Sequence, residues 1–220
     1  MIGNEAEARA WIAALPQADT LAMERLERLA SLLAAENARQ NLVSAASLGD
    51  VWRRHMADSA QLLAHVPAHV SDGAPGPWLD LGTGAGFPGL VIACLLPETE
   101  MIMVESRSRR IDWLLQAVES LGLAHAHVLG QRLERVETRK YSVISARAFA
   151  PLEKLLDLSA RLSTSDTIWL LPKGRSAQQE LHDLSGWSHK FHVEQSLTDS
   201  EGGIIVGTLL TESNRKGRKA

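Results

Sequence analysis

The segment WLDLGTGAGFPGLVIACLLPE, residues 78–98, places four glycines within eight residues. An apolar run precedes the glycines and another follows them, so the pattern predicts a strand, a turn and a helix. Gly82, Gly84 and Gly86 allow the backbone to turn tightly and to approach a ligand without a Cβ in the way. The segment therefore predicts a ligand-binding loop between the strand and the helix.

Two classes of nucleotide ligand fit such a loop. The residues GAGFPG, 84–89, match G-x-G-x-x-G, the fingerprint of dinucleotide-binding enzymes. Asp80 argues against a pyrophosphate, because its carboxylate would repel one and would attract the cationic amino and sulfonium groups of S-adenosylmethionine. Glu105, at the end of the next apolar run, suits ribose hydroxyls in either class. The pattern favours a methyltransferase and leaves a dehydrogenase open.

A parallel α/β sheet is the element that would position these residues. From residue 77 onward, short apolar runs alternate with helix-like stretches, a rhythm typical of a doubly wound sheet. The runs are PWLDL, EMIMVE, AHVLG, YSVISA, DTIWLLP and GGIIVGTLL. The helix-like stretches are 86–96, 109–121 and 151–162. The closing strands, near 189–196 and 203–211, have no convincing helix between them, which predicts a hairpin at the end.

The residues before this sheet predict a helical extension. Leucines recur every three or four positions within 4–39, which predicts a helix, and Asp50 suits the cap of a second helix over 51–66. The Pro- and Gly-rich stretch PAHVSDGAPGP predicts a linker. We therefore expect an N-terminal helical extension over 1–70, a cofactor-binding domain over 75–212 and a basic tail over 213–220.

The composition is that of a globular protein with a substantial core. Hydrophobic residues make up 45% of the chain, and no apolar run approaches the ~20 residues of a membrane span. The acidic N-terminus is unlike a signal peptide, and a single cysteine, Cys94, fits a reducing cytosol. We expect a cytoplasmic protein. The formal net charge is −3, yet four of the last six residues are basic, which suits either phosphate contacts or solubility.

Motifs from about residue 40 to residue 174 resemble those of a known family. The segments NLVS, VWRRHMADS and WLDLGTGAGFPGL, followed by VISARAFAPL and LLPKG, are similar to the bacterial small-subunit rRNA guanine-N7 methyltransferases. That family is also known as the glucose-inhibited division protein B family. The resemblance implies a class I S-adenosylmethionine-dependent methyltransferase fold of Rossmann-like type, with a mostly parallel seven-stranded sheet. It also implies 16S rRNA, or the small ribosomal subunit, as the partner.

Carried over position by position, the resemblance implies a set of cofactor-binding residues. Gly82 and Phe87 would line the methionine and ribose side, and Glu105, where the family usually has Asp, would hold the ribose. Leu133 and Glu134 would frame the adenine, although Glu134 equally suits a solvated helix charge. With the loop residues added, the set is Asp80, Gly82, Gly84, Phe87, Glu105, Leu133, Glu134 and Arg147. The region after residue 175 matches the family weakly.

The resemblance also implies that Arg147 lies at the reactive end of the cofactor. Its position directly after the apolar run SVISA independently places it at the ligand edge of the sheet. Guanine N7 carries an available lone pair, so its methylation needs positioning and a suitable electrostatic environment, not a general base. We therefore name no catalytic residue. A target guanine stacked in folded rRNA would have to be splayed into a pocket.

Basic residues near the predicted ligand edge are candidates for contacts with RNA phosphates, with an ordinary solvated surface as the alternative. They are Arg53, Arg54, Lys173 and Arg175, with His55 next to the two arginines. Arg53 and Arg54 are about 100° apart on a helix, so at most one of them can be central in a patch. The eight histidines show no metal-ligand spacing, and we expect no metal. We also expect a monomer. A small-molecule methyltransferase and a non-enzymatic RNA-binding protein remain alternatives.

Overall fold

The computed structural model describes residues 1–67 and 76–211, so most of the predicted linker and the basic tail lie outside the described residues. Within these ranges the strands form one mixed sheet. They are β1 Trp78–Leu81, β2 Met101–Glu105, β3 Ala126–Gly130, β4 Val143–Ser145, β5 Ile168–Gly174, β6 Ser188–His189, β7 His192–Gln195 and β8 Gly203–Thr211.

The sheet has the order β3-β2-β1-β4-β5-β8, and its first five strands are parallel. β8 runs antiparallel to β5, and β6 and β7 both pair with the other edge of β8. The eight strands therefore fill seven positions, because β6 and β7 follow one another beside the same neighbour. The mostly parallel sheet and the closing hairpin confirm the predictions from the sequence.

Eight helices accompany the sheet in the described ranges, and α4 is a continuous helical segment over 52–65. They are α1 Glu5–Ala13, α2 Thr20–Asn37, α3 Ala45–Leu48, α4, α5 Gly89–Leu95, α6 Ser108–Leu121, α7 Leu152–Ser159 and α8 Ala177–Asp183. Within α4, a π-helical turn Trp52–Ala57 leads into an α-turn Asp58–Ala60 and a 3-10 turn Gln61–His65. Separate 3-10 turns occur at Leu133–Arg135 and Ala160–Leu162.

The predicted single helix over 4–39 is wrong, because the chain breaks between α1 and α2. Pro16 lies in the break, where its missing N–H interrupts no helical ladder. Asp19 then begins α2, and its side chain accepts a hydrogen bond from the Ala22 N–H at 2.7 Å. No sequence pattern predicts α8, which is short and largely polar.

The predicted cap of α4 is wrong as well. The Asp50 carboxylate accepts from Nε of Arg53 at 2.8 Å instead of from the backbone. The first N–H groups of α4 are satisfied by Glu5 of α1, whose two oxygens accept from the N–H groups of Trp52 and Arg53 at 3.0 and 2.8 Å. A residue distant in sequence therefore caps α4 and ties α1 to it.

Two hydrophobic cores cover the two faces of the sheet, because successive side chains of a strand point in opposite directions. Trp78 of β1 faces the core shared with α1, α2, α4, α5 and α6. Leu79 and Leu81 face the core shared with α7. The N-terminal helices thus pack directly against one face of the sheet. No helix in the described ranges is long and apolar enough to cross a membrane.

Candidate cofactor and acceptor site

The glycine loop follows β1, which lies between β2 and β4 in the middle of the sheet. Gly82, Gly84 and Gly86 have φ values of +63°, +61° and +102°, a region that favours glycine, and this confirms the predicted tight turn. A Cβ added to Gly84 would lie 3.2 Å from Nη1 of Arg110, with little else around it. The backbone at Gly84 is therefore open to a ligand.

Two cavities lie along the carboxyl edge of the sheet and share a common wall. The smaller one has a volume of about 430 Å³ and the larger one about 790 Å³. Both are lined by Gly82, Arg110 and Phe149, and the Phe149 ring lies directly over Gly82. Together they form one groove with a smaller half and a larger half. We call the larger half the acceptor half.

The structure brings most of the expected ligand-binding residues to this groove. Gly82, Glu105, Leu133 and Glu134 line the smaller cavity. Gly82 also lines the larger cavity, together with Gly84 and Arg147. These residues come from the ends of β1, β2 and β4 and from the turn after β3, so the parallel topology is what assembles them.

Glu105 is held with one carboxylate oxygen occupied and the other available. Its Oε1 accepts from the N–H groups of Ser106 and Arg107 at 2.7 and 2.9 Å. Its Oε2 lies 3.9 Å from Nη1 of Arg110. Only 6% of the residue is exposed, and it lines the smaller cavity. The buried, anchored carboxylate fits a role as acceptor for a pair of ligand hydroxyls.

Asp80 has a different position from the one expected, because it lines neither cavity. The residue has no exposed surface, and its two oxygens accept from Oγ of Ser145 at 2.8 Å and from the Gly89 N–H at 3.0 Å. Burial raises the pKa of Asp80, while hydrogen bonds from Thr83, Ser145 and Gly89 oppose that rise. Asp80 therefore joins β4 to the start of α5 beneath the loop.

Phe87 also lies behind the groove and not on its surface. It is 2% exposed, and its ring stacks on His55 with the ring centres 4.7 Å apart. The Arg147 guanidinium lies 5.2 Å from the centre of the same ring. Phe87 thus supports two polar residues of the cavity wall through its faces.

Arg147 is fixed by three groups of α4. Its Nη1 donates to the carbonyl of Arg54 and to Oδ2 of Asp58, both at 3.1 Å. Its Nη2 lies 3.1 Å from Nδ1 of His55. No sequence pattern predicts that His55 and Asp58 meet Arg147, although both belong to the quoted motif VWRRHMADS. Only the docking of α4 against the end of β4 brings them together.

The four arginine and lysine residues expected to hold phosphates do not form one free surface. Arg53 pairs with Asp50 and donates to the carbonyl of Thr198 at 3.0 Å. The side chain of Lys173 is 8% exposed and pairs with Glu180 at 2.9 Å. Arg54 lines the larger cavity 4.0 Å from Asp199, and the exposed Arg175 pairs with Glu201. Arg53 and Lys173 are therefore engaged within the fold.

A mostly parallel sheet, a glycine loop after β1 and an acid ending β2 form the fold of the class I S-adenosylmethionine-dependent methyltransferases. The chain is similar in fold to cofactor-bound Rv0187 from MTB, with a TM-score of 0.62, 12% identity, and 96% and 100% of the two chains covered. It is also similar to a variant of MtNAS in complex with S-adenosylmethionine, with a TM-score of 0.56, 13% identity, and 94% and 84% covered.

The family itself follows from closer relatives. The family model described as GidB, rRNA small subunit methyltransferase G, matches residues 22–201, so the chain belongs to that family. A ribosomal RNA small subunit methyltransferase G from Erythrobacter litoralis is 56% identical over 94% of this chain and 97% of its own. Its counterpart from Novosphingobium aromaticivorans is 55% identical over 94% and 89%.

Proposed function

We propose that this protein transfers a methyl group from S-adenosylmethionine to N7 of a guanine in 16S rRNA. The observation that carries the proposal is the two-part groove at the carboxyl edge of the sheet. Its smaller half presents a buried acid, Glu105, and the glycine loop, and its larger half presents Arg147. Membership of the rRNA small subunit methyltransferase G family supports the same assignment.

The residues of the smaller half fit the proposed cofactor. Oε2 of Glu105 would accept from the ribose hydroxyls, and Leu133 and Glu134 would frame the adenine. Gly84 would let the methionine part lie against backbone, since little besides the Arg110 guanidinium is close to the position of a Cβ there. Gly82 would lie at the wall shared by the two halves, under the Phe149 ring. Phe87 and Asp80 would act from behind the groove, by holding its wall and its loop in place.

When bound, S-adenosylmethionine supplies an electrophilic methyl group on a positively charged sulfur. The protein's part is to orient the acceptor and to tolerate the movement of positive charge towards the base. The Arg147 guanidinium is balanced by Asp58, so the acceptor half presents donor groups with little net charge. No residue has to remove a proton, because N7 attacks with its own lone pair.

We propose that the RNA is held by arginines around the rim of the groove. Arg107 and Arg132 line the smaller cavity, and Arg109 follows Arg107 by two positions, in the first turn of α6. All three are exposed, and none pairs with a carboxylate within the described ranges. Arg54 and Arg175 would extend this surface on the acceptor side. Arg53 and Lys173 would instead stabilise the fold beneath this surface.

We further propose a monomeric, cytoplasmic protein acting on 16S rRNA or the small ribosomal subunit. In this proposal residues 1–70 form the helical extension, 75–212 the methyltransferase domain and 213–220 a basic tail. The packing of α1 and α2 in the same core as the sheet supports a helical extension that stays docked.

The deciding experiment offers labelled S-adenosylmethionine with three acceptors: naked 16S rRNA, small subunits and a panel of small-molecule nucleophiles. We expect label in RNA, and its position should map to N7 of one guanine. Label only in small molecules would replace the proposal with a small-molecule methyltransferase. Tight RNA binding without cofactor binding by calorimetry would indicate a non-enzymatic RNA-binding protein.

A further inference from the structure

His55 lies in the wall of the acceptor half with 7% of its surface exposed. It belongs to the π-helical turn of α4, a type of turn that is often found at functional sites. One face of its ring stacks on Phe87, and its Nδ1 lies 3.1 Å from Nη2 of Arg147. The imidazole therefore connects Phe87 of the glycine loop to the Arg147 guanidinium.

The protonation of this imidazole follows from its neighbours. A guanidinium has only donors, so Nδ1 must accept and the ring carries its proton on Nε2. Two charged residues near the ring, Asp50 and Arg54, belong to the same stretch of the chain as His55. Arg147 faces the ring from the end of β4. Burial, followed by the charges of Arg147 and Arg54, lowers the pKa of His55 to about 3. The ring is thus neutral at any pH near neutrality.

The other ring nitrogen of His55 carries a cost in stability. Nε2 is buried and has no hydrogen-bond partner among the residues that the structure describes. An unsatisfied buried donor is destabilising. A phenylalanine would keep the stacking on Phe87 and remove the unsatisfied group. The property that phenylalanine lacks is the acceptor at Nδ1.

We propose that His55 is a positioning residue for methyl transfer, which orients the Arg147 guanidinium towards the target base through Nδ1. The inference rests on the proposed function. Asp58 and the Arg54 carbonyl hold Nη1, and within the described ranges His55 is the group that holds Nη2. A protonated imidazole would add positive charge beside Arg54 and Arg147 and would repel a sulfonium ligand. A neutral acceptor orients the guanidinium without that repulsion.

Two substitutions separate the role of the Nδ1 acceptor from the role of the stacked ring. His55→Phe keeps a stacked ring but removes Nδ1, so we expect kcat to fall about ten- to a hundredfold, the effect of one charged hydrogen bond. The Kd for S-adenosylmethionine and the melting temperature should stay at the wild-type values or improve. His55→Asn places an amide oxygen near the position of Nδ1 and should retain most of kcat. His65→Phe, a control in the same helical segment but outside the groove, should leave kcat unchanged.

The rates are measured with small subunits, and nitrogen NMR of the full chain reports the imidazole tautomer without reference to activity. A His55→Phe variant with wild-type kcat would overturn the inference, as would an imidazolium or an Nδ1-protonated ring near neutral pH. An equal loss in both variants that follows their melting temperatures would show a merely structural role. Wild-type protein that methylates no RNA would overturn the proposed function itself, which is a distinguishable result.

Discussion

At the scale of single residues, the groove depends on positions that tolerate no ordinary substitution. Gly84 has a φ of +61° and faces the groove, so we expect Gly84→Val to abolish S-adenosylmethionine binding. Gly122 has the same φ of +61° at the end of α6, with no atom within 4 Å of an added Cβ. Gly122→Val is therefore the control for backbone strain and should lose stability but not cofactor affinity. Calorimetric titration of both folded variants checks this, and wild-type affinity in Gly84→Val would refute the placement of the loop.

A second prediction at this scale concerns the proposed ribose acceptor. Glu105→Ala should weaken S-adenosylmethionine binding by roughly 1.5–3 kcal/mol, because hydrogen bonds to a charged acceptor have that magnitude. Glu100→Ala is the matched control, since Glu100 precedes β2 at its opposite end and pairs with Arg139. It should leave the cofactor Kd unchanged. Equal Kd values for the two variants would show that Glu105 is not a cofactor ligand.

At the scale of elements, α4 is held in place by a cap from another helix. Glu5 of α1 accepts from the N–H groups of Trp52 and Arg53. The same π-helical turn supplies two of the three groups that hold Arg147, the Arg54 carbonyl and Nδ1 of His55. Glu5→Ala should cost about 1 kcal/mol of unfolding free energy, the usual value of a lost helix cap. It should also lower kcat more than cofactor affinity, because the turn would be less well fixed.

The control for this element is Glu24→Ala, which removes an exposed carboxylate from α2. Urea unfolding gives the stability, and initial rates with small subunits give kcat. Two variants with the same stability and the same kcat would contradict a capping role for Glu5. A loss of stability without any change in kcat would show that the cap by Glu5 does not affect the site.

At the scale of the whole molecule, the arrangement of charges determines how RNA is held. If Arg107, Arg109 and Arg132 bind phosphates, replacing each with Ala should raise the KM for RNA. Each such replacement should also flatten the log–log dependence of RNA affinity on salt by roughly 0.7–0.9. Arg53→Ala should chiefly lower stability, because Arg53 is bound to Asp50 and Thr198. Rates at several salt concentrations test this, and a KM that is insensitive to salt throughout the set would exclude phosphate binding at the rim.

Stability towards acid is a second property of the whole fold. The pKa of His55 falls from 6.5 in the unfolded chain to about 3 in the fold, so between these values the unfolded chain binds the extra proton. The protein should therefore lose stability as the pH falls below 6.5. Relative to His55→Phe, the slope should be up to about 1.4 kcal/mol per pH unit. Denaturant unfolding of both proteins at several pH values measures it, and parallel curves would show that His55 is not buried as a neutral ring.

The sequence by itself determined the sheet, the loop and most of the groove, because these depend on local patterns. Apolar runs and turn residues predict strands and their ends, and the ends of parallel strands meet at one edge. Glu105 and Arg147 could therefore be placed from the sequence alone. Only the tertiary structure decided what Asp80, Arg53 and Lys173 do, because burial and ion pairing depend on distant partners such as Ser145, Thr198 and Glu180.

The same limit explains His55 and the cap of α4. Glu5 and Trp52 are 47 positions apart, and His55 and Arg147 are 92 positions apart, so no local pattern connects either pair. Their contacts depend on how α1 and α4 dock on the sheet, which is determined by the packing of the shared core. Sequence patterns thus indicated the chemistry of the site, and packing decided which side chains reach that site.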